Sequence, residues 1–110
     1  MPSMATTIEP DAPVTTLINV FTVAAARQRE LVELLDTATE KVMRHLPGFV
    51  SANIHASLDG AHVANYAQWR SEEDFRAMLA NPAAQEHMQA AAAIATYEPA
   101  LYRVESSHHL

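Results

Sequence analysis

Apolar and polar side chains alternate along three stretches of the chain, and a period of two residues is typical of β-strands. The first stretch, Thr15 to Val23, is also rich in β-branched residues. The other two run from Phe49 to Ser57 and from His62 to Trp69, on either side of the turn-forming dipeptide Asp59-Gly60. The pattern therefore predicts one strand that is followed later in the chain by a β-hairpin.

The same alternation predicts which side chains share a face of the sheet, because successive strand residues point to opposite sides. In the first strand, one face is expected to carry Leu17, Asn19, Phe21 and Val23. In the return strand of the hairpin, one face is expected to carry Val63, Asn65, Ala67 and Trp69. In the outgoing strand, Phe49 is expected beside Ser51 and Asn53, opposite Ala52 and Ile54. An amide at position 65 thus shares a face with the only tryptophan.

Segments with the spacing of apolar residues that is typical of helices lie between and after these strands in the sequence. Apolar residues recur every three or four positions between about Ala25 and Leu46, which predicts a helix that Pro47-Gly48 ends. Ser71 is placed to cap a second helix, Asn81-Pro82 interrupts it, and an alanine-rich helix is expected from Ala83 to about Ala95. A final strand is expected from Ala100 to Glu105, after Pro99.

The resulting order, βαββαβ, predicts an α+β protein with a ferredoxin-like fold and an antiparallel sheet. Helices cover one face of such a sheet, and apolar residues on the other face favour a homodimer formed through that face. The expected organisation is a flexible N-terminal arm over residues 1–14, one domain over residues 15–105 and a C-terminal tail over residues 106–110.

Composition and net charge limit the kinds of partner that the protein is expected to bind. The chain has 110 residues and a formal net charge of -6, and its seven basic residues are scattered, which argues against a nucleic-acid partner. It contains no cysteine, so a disulfide framework and a thiol nucleophile are excluded. No apolar run is long enough for a membrane span, and we expect a cytoplasmic protein without a membrane partner.

The hairpin segment from Pro47-Gly48-Phe49 to Asn65-Tyr66-Ala67-Gln68-Trp69, followed by Ser71-Glu72 and Phe75, resembles the antibiotic biosynthesis monooxygenase family. The resemblance is greatest to the small quinone-forming monooxygenases of aromatic polyketide pathways, and it extends over about residues 15–104. It implies a dimeric α/β barrel of ferredoxin-like subunits. It also implies oxidation of an anthrone or phenol to a quinone by dioxygen, without metal, flavin or haem as a cofactor.

By this resemblance Asn65 and Trp69 are the expected catalytic residues, in a cavity between the sheet and the helices. An amide can bind a carbonyl or a developing oxyanion, and an indole can stack on an aromatic polycycle. The remaining expected contacts to a small aromatic substrate are made by Phe21, Phe75, Met78, Asn19 and Arg76, the last as an anchor for a carboxylate. In the competing interpretation, Asn65 is a hydrogen-bonded strand residue and Trp69 is an ordinary core residue, and neither has a catalytic role.

One position departs from the family pattern. Phe75 stands six residues after Trp69, where the quinone-forming relatives carry a tyrosine that can move a proton. Other candidates for proton transfer are His55, His62, Tyr66 and His87, of which a histidine is favoured because imidazole titrates near neutral pH. Alternation places Tyr66 and His62 on the face away from Asn65, whereas the direction of His87 stays open.

Two alternative functions remain. Haem-degrading members of the same superfamily place an asparagine on the first strand, as Asn19 is here, but this chain has no histidine soon after Trp69 to ligate iron. A non-catalytic dimeric module that binds a small molecule also fits, because one fold hosts many functions. The terminal pair His108-His109 has no third ligand nearby in sequence, so no metal site is expected.

Overall fold

Three helices lie on one face of a four-stranded sheet in the computed structural model, which describes residues 5–110. The first four residues of the predicted arm lie outside the described residues. The elements are β1 (Thr15–Val23), α1 (Gln28–Lys41), β2 (Phe49–Ala56), β3 (His62–Trp69), α2 (Glu72–Leu79), α3 (Pro82–Ala92) and β4 (Ala95–Tyr102). Short 3-10 turns, Ala25–Arg27 and Met43–His45, flank α1.

The strand order is β2-β3-β1-β4, and every neighbouring pair is antiparallel. This order and the βαββαβ framework confirm the predicted α+β class and the ferredoxin-like fold. Strand β1 is central and pairs with β3 from Thr15 to Thr22, with Leu17 opposite Ala67, Asn19 opposite Asn65 and Phe21 opposite Val63. The predicted alternation within each strand is therefore confirmed, and the pairing places the two sets of residues on one face of the sheet.

The long helix predicted from Ala25 to Leu46 is shorter than expected. Its first turn is 3-10, and the α-helix ends at Lys41 because the backbone of Val42 leaves the helical region, with φ -124° and ψ -64°. The following 3-10 turn leads to Gly48, whose φ of +84° is easily adopted only by glycine. This turn brings Met43 under the helices and beside the sheet.

The last strand was predicted too late in the chain. Strand β4 begins at Ala95 and ends at Tyr102, so it contains Pro99, and α3 ends earlier than expected, at Ala92. A proline cannot donate a ladder hydrogen bond, but β4 is an edge strand and one side of it needs no donor. As a result, Tyr97, Pro99 and Leu101 lie opposite Phe21, Asn19 and Leu17 on the helix-covered face.

The predicted face of Phe49 is also wrong. The register of β2 against β3 shifts between Phe49 and Ser51, where Phe49 pairs with Trp69 and Ser51 pairs with Gln68. Such a bulge adds one residue and reverses the alternation on one side of it. Phe49 consequently joins the helix-covered face, and its ring meets the ring of Trp69 edge-on at 5.6 Å.

The hairpin is confirmed, with a connection of residues 57–61 between the two strands. Gly60 has a φ of +82°. The Asp59 carboxylate accepts hydrogen bonds from the Ser57 hydroxyl at 2.7 Å and from the Ala61 N–H at 3.0 Å. These two bonds hold the pKa of Asp59 below its ordinary value, with the Ala61 N–H as the larger cause.

Part of the arm lies along the sheet face that the helices leave open. Asn53 donates to the Thr6 hydroxyl at 2.7 Å, and Gln68 donates to the Thr7 carbonyl at 2.8 Å. Gln68 is only 3% exposed on this face, whereas Val20 on the same face is 41% exposed. The arm therefore covers one part of the open face, and the predicted domain boundaries and homodimer stay predictions. Among the helices of residues 5–110, none is both long and apolar enough to span a membrane.

Candidate active site

The core between sheet and helices is divided into two buried clusters. One contains Leu17, Ala67, Trp69, Phe75, Met78 and Ala84. The other contains Phe21, Val23, Leu31, Val32, Val63 and Ala91. Asn19 and Asn65 lie side by side on neighbouring strands, between the residues that contribute to the two clusters. A pair of amides thus interrupts an otherwise apolar sheet face at its centre.

A cavity lies over this amide pair. The space open to the centres of water-sized molecules is about 110 Å³, several times the space that one water needs. Its sheet side is formed by Leu17, Asn19, Phe21, Phe49, Ala52, Asn65, Ala67, Trp69, Tyr97 and Pro99. Its helix side is formed by Leu35, Ala38, Thr39, Met43, Phe75, Met78, Leu79 and Met88. A mostly apolar wall with a few polar groups is typical of a site for a small organic ligand.

The two amides are unusual because their oxygens are buried without partners. Neither Asn19 Oδ1 nor Asn65 Oδ1 has a hydrogen-bond partner among the described residues. An unsatisfied buried polar atom costs about 1–3 kcal/mol, so such atoms are rare in a core without a role. The pair can accept hydrogen bonds from hydroxyl groups of a ligand, and the amide N–H groups can donate to a carbonyl or an oxyanion.

Trp69 forms one end of the cavity. It is 2% exposed, and its ring lies between Phe49 and Phe75, with the Phe75 ring centre 6.5 Å away. Helix α2 positions Phe75 and Met78, and the Ser71 side chain caps this helix by accepting from the Asp74 N–H at 3.1 Å. These aromatic and thioether groups give a ligand a polarisable apolar contact surface.

The structure brings six of the seven predicted site residues together and leaves out Arg76. Asn65, Trp69, Phe21, Phe75, Met78 and Asn19 all line the cavity. Arg76 lies on the exposed side of α2, where its guanidinium is 3.4 Å from the Glu72 carboxylate and its side chain is 66% exposed. Helical geometry explains this placement, because Arg76 directly follows Phe75 and consecutive helix residues point in different directions.

A second, smaller lobe adjoins the cavity. Its space for water-sized molecules is about 50 Å³, and it shares most of its wall with the main cavity, including Asn19 and Phe21. His87 from α3 lines this lobe, and Tyr97 from β4 lines both lobes. Of the other proton-transfer candidates, Tyr66 and His62 lie on the opposite sheet face, as alternation predicted.

Sequence reasoning missed Tyr97 entirely. Its ring centre is 5.4 Å from that of Phe21, its partner on β1. The missing signal was the start of β4: a strand that begins before Pro99 places Tyr97 and Leu101 on one face by simple alternation. Thr39 and Leu35 are further lining residues that the helical pattern marked only as parts of α1.

The charged groups whose pKa the fold changes lie at the surface. In addition to Asp59, the pKa of Glu30 is lowered and that of Arg27 is raised, chiefly by their mutual side-chain hydrogen bond of 2.9 Å. Within residues 5–110 no three His, Cys, Asp or Glu side chains are grouped so that they could hold a metal ion. Among the described residues, the polar groups in the wall of the cavity and its lobe include the amides of Asn19 and Asn65, the Thr39 hydroxyl, the Tyr97 phenol and the His87 imidazole.

Comparison with known proteins identifies similar chains. The family model described as antibiotic biosynthesis monooxygenase matches residues 15–90. The tetracenomycin-F1 monooxygenase of Streptomyces glaucescens is 50% identical over 101 residues, which cover 92% of this chain and 90% of that protein.

Two solved structures extend the likeness to the fold. The monooxygenase from the gene ActVA-Orf6 of Streptomyces coelicolor, in complex with the ligand nanaomycin D, is 31% identical with a TM-score of 0.82. The comparison covers 94% of this chain and 99% of that one. SnoaB of Streptomyces nogalater, described as a cofactor-independent oxygenase, is 28% identical with a TM-score of 0.72, over 87% of this chain and 97% of that one.

Proposed function

The chain belongs to the antibiotic biosynthesis monooxygenase family and is an oxidoreductase, and we propose that it oxidises an anthrone-type or phenolic polycycle to a quinone with dioxygen, without a cofactor. The proposal takes its reaction class from the relatives, among them a cofactor-independent oxygenase. It takes its site from the cavity between the sheet and the helices. The observation that supports it is a pair of amides, at the centre of an apolar cavity, whose oxygens have no hydrogen-bond partner among the described residues.

An electron-rich aromatic substrate needs little more than such a cavity to react with dioxygen. The anion of an anthrone or phenol is a strong one-electron donor, so the protein has to remove a proton, hold the anion in place and exclude bulk water. The Asn65 amide can donate to the oxyanion of this species, and Asn19, opposite it, can hold a neighbouring hydroxyl or carbonyl group. Trp69, Phe75, Phe21 and Met78 then provide contact surface for the rings.

The overall reaction balances without a further reductant. An anthrone methylene and one dioxygen give one ring carbonyl and one water. Loss of a methylene proton gives the anion, which transfers an electron to dioxygen, and recombination forms a carbon–oxygen bond and a peroxide anion. Protonation of the peroxide, loss of the second carbon-bound proton and cleavage of the oxygen–oxygen bond release the quinone and water.

We further propose that the enzyme works in the cytoplasm as a homodimer formed through the open sheet face. Support comes from apolar side chains on that face, where Val20 is 41% and Tyr102 is 52% exposed. Light scattering on the purified protein measures the oligomeric state, and a monomer at micromolar concentration would contradict this part of the proposal.

The activity is tested by mixing purified protein, treated with a chelator, with the anthrone dithranol under nitrogen and then admitting oxygen. Quinone absorbance and oxygen uptake should rise faster than in buffer, with one dioxygen consumed for each quinone. Asn65→Ala should abolish this acceleration. Asn53→Ala is the matched control, because it removes an amide from the same sheet on the face away from the cavity.

Each outcome of this experiment decides the proposal. Acceleration that Asn53→Ala keeps and Asn65→Ala loses supports an oxygenase at this cavity. If Asn65→Ala still accelerates the oxidation, the protein is an oxygenase but the assignment of the active site to this cavity is wrong. If the wild type binds dithranol tightly under nitrogen but does not accelerate its oxidation in air, a binding module replaces the oxygenase.

A further inference from the structure

The proposed reaction needs a proton acceptor, and the helix beside Trp69 does not provide one. Phe75 is a hydrocarbon ring that is 7% exposed and packed edge-on against Trp69. Thr39 on α1 is a poor base, and Asn19 and Asn65 carry neutral amides. Among the described residues, Tyr97 carries the one titratable side chain in the wall of the main cavity.

The adjoining lobe contains an imidazole. His87 is half-buried on α3 and lines this lobe together with Met88 and Ala91. The lobe shares Asn19, Phe21 and five other wall residues with the main cavity, so a polycycle held at Asn19 extends toward His87. Imidazole is the side chain whose basicity best suits proton transfer at neutral pH.

We infer that His87 is the proton acceptor of the reaction, an inference that rests on the proposed function. In this role its free ring nitrogen takes the proton from the anthrone methylene or phenol before dioxygen reacts. The imidazolium then returns this proton to the peroxide anion. The imidazole takes the second carbon-bound proton and gives it to the leaving oxygen, which departs as water, so the histidine ends each cycle neutral.

The surroundings of His87 suit a group that must both accept and return a proton. The residues that face it across the lobe from β1, α1 and the 3-10 turn after α1 carry no charge, and they are Asn19, Phe21, Leu35, Ala38 and Met43. From β4 it is faced by Tyr97, the one other titratable side chain in the lobe wall. Among the described residues, no carboxylate lines the lobe.

The test separates proton removal from oxygen chemistry. Dithranol is mixed with the protein under nitrogen, where the absorbance of its anion reports deprotonation, and oxygen is admitted afterwards to measure quinone formation. His87→Gln should lower both the anion signal and the turnover by about 100-fold at neutral pH, the size typical of general acid–base catalysis. Added imidazole should restore much of the turnover of His87→Ala.

His55→Gln is the matched control, because it removes an imidazole from the sheet face away from the cavity, and we expect it to keep the anion signal. Tyr97→Phe tests the other titratable group in the described wall of the lobe. Retention of the anion signal and the turnover in His87→Gln, or their loss in Tyr97→Phe alone, would overturn the assignment. If the anion signal depends on His87 but no quinone forms in air, the proposed oxygenase is refuted and His87 remains the proton acceptor. If the wild type gives neither the anion signal nor quinone, the oxygenase and the role of His87 are both refuted.

Discussion

Replacing Asn65 by leucine should make the ligand-free protein more stable and inactive. The Asn65 amide oxygen is buried without a partner among the described residues, and such an atom costs about 1–3 kcal/mol. Because the cavity is large enough to admit water, the lower end of this range applies, about 1 kcal/mol. For a domain of this size that gain raises the Tm by about 4 °C.

Asn53→Leu provides a control of the same chemistry with the opposite sign. The Asn53 amide donates to the Thr6 hydroxyl at 2.7 Å and to the Tyr66 carbonyl at 3.0 Å. Both asparagines lie in strands of one sheet, so the higher strand propensity of leucine affects the two variants similarly. Loss of satisfied hydrogen bonds should lower the stability of Asn53→Leu by about 1 kcal/mol.

Thermal and urea unfolding of both variants, followed by circular dichroism, measure the two changes. The anthrone assay on the same preparations should show activity in Asn53→Leu and none in Asn65→Leu. A Tm of Asn65→Leu that falls below that of the wild type by as much as in Asn53→Leu would refute the reasoning. Such a result would mean that the Asn65 amide stabilises the folded protein, whereas the reasoning above requires that it destabilises it.

Three further substitutions test how the site is supported. Gly48→Ala should cost more than about 1–2 kcal/mol in urea unfolding, because φ is +84° and the new methyl group meets the Asp74 side chain; an unchanged midpoint contradicts this. Asp59→Asn should lower the Tm most at neutral pH and least below about pH 3, since a carboxylate with a lowered pKa stabilises the fold above its unfolded pKa and loses this effect as the pH falls; a deficit that is constant with pH excludes the Ala61 N–H as its cause. Asn81→Ala removes an N-cap of α3 and should cost about 1 kcal/mol, which equal unfolding curves would disprove.

The sequence was most informative where one period governed a whole element. Strict alternation was enough to place Asn65 on the face of Trp69 within β3, and Asn19 on the face of Phe21 within β1. That Asn19 lies opposite Asn65 depends on the register between the two strands, which alternation does not give. Alternation gave the wrong face for Phe49, because the bulge in β2 shifts the register between Phe49 and Ser51 and turns the Phe49 ring toward the helices. A bulge has no signature in the pattern of apolar residues, because it depends on how two strands meet.

The other errors came from reading proline and helix propensity without tertiary context. Pro99 predicts the boundary of a strand, and this prediction is sound for a central strand and wrong for the edge strand β4. That single misassignment hid Tyr97 from the predicted site. For His87, weak amphipathicity in an alanine-rich helix left the direction open until the contacts of α3 were known.

The two irregular positions of the sheet lie on its two outer strands. Strand β2 carries the bulge beside Val50, and strand β4 carries Pro99. A foreign strand that adds to either edge has to match a continuous row of backbone donors and acceptors, and each irregularity interrupts that row. The same features that shape the cavity wall through Phe49 and Tyr97 therefore also make both edges poor templates for aggregation.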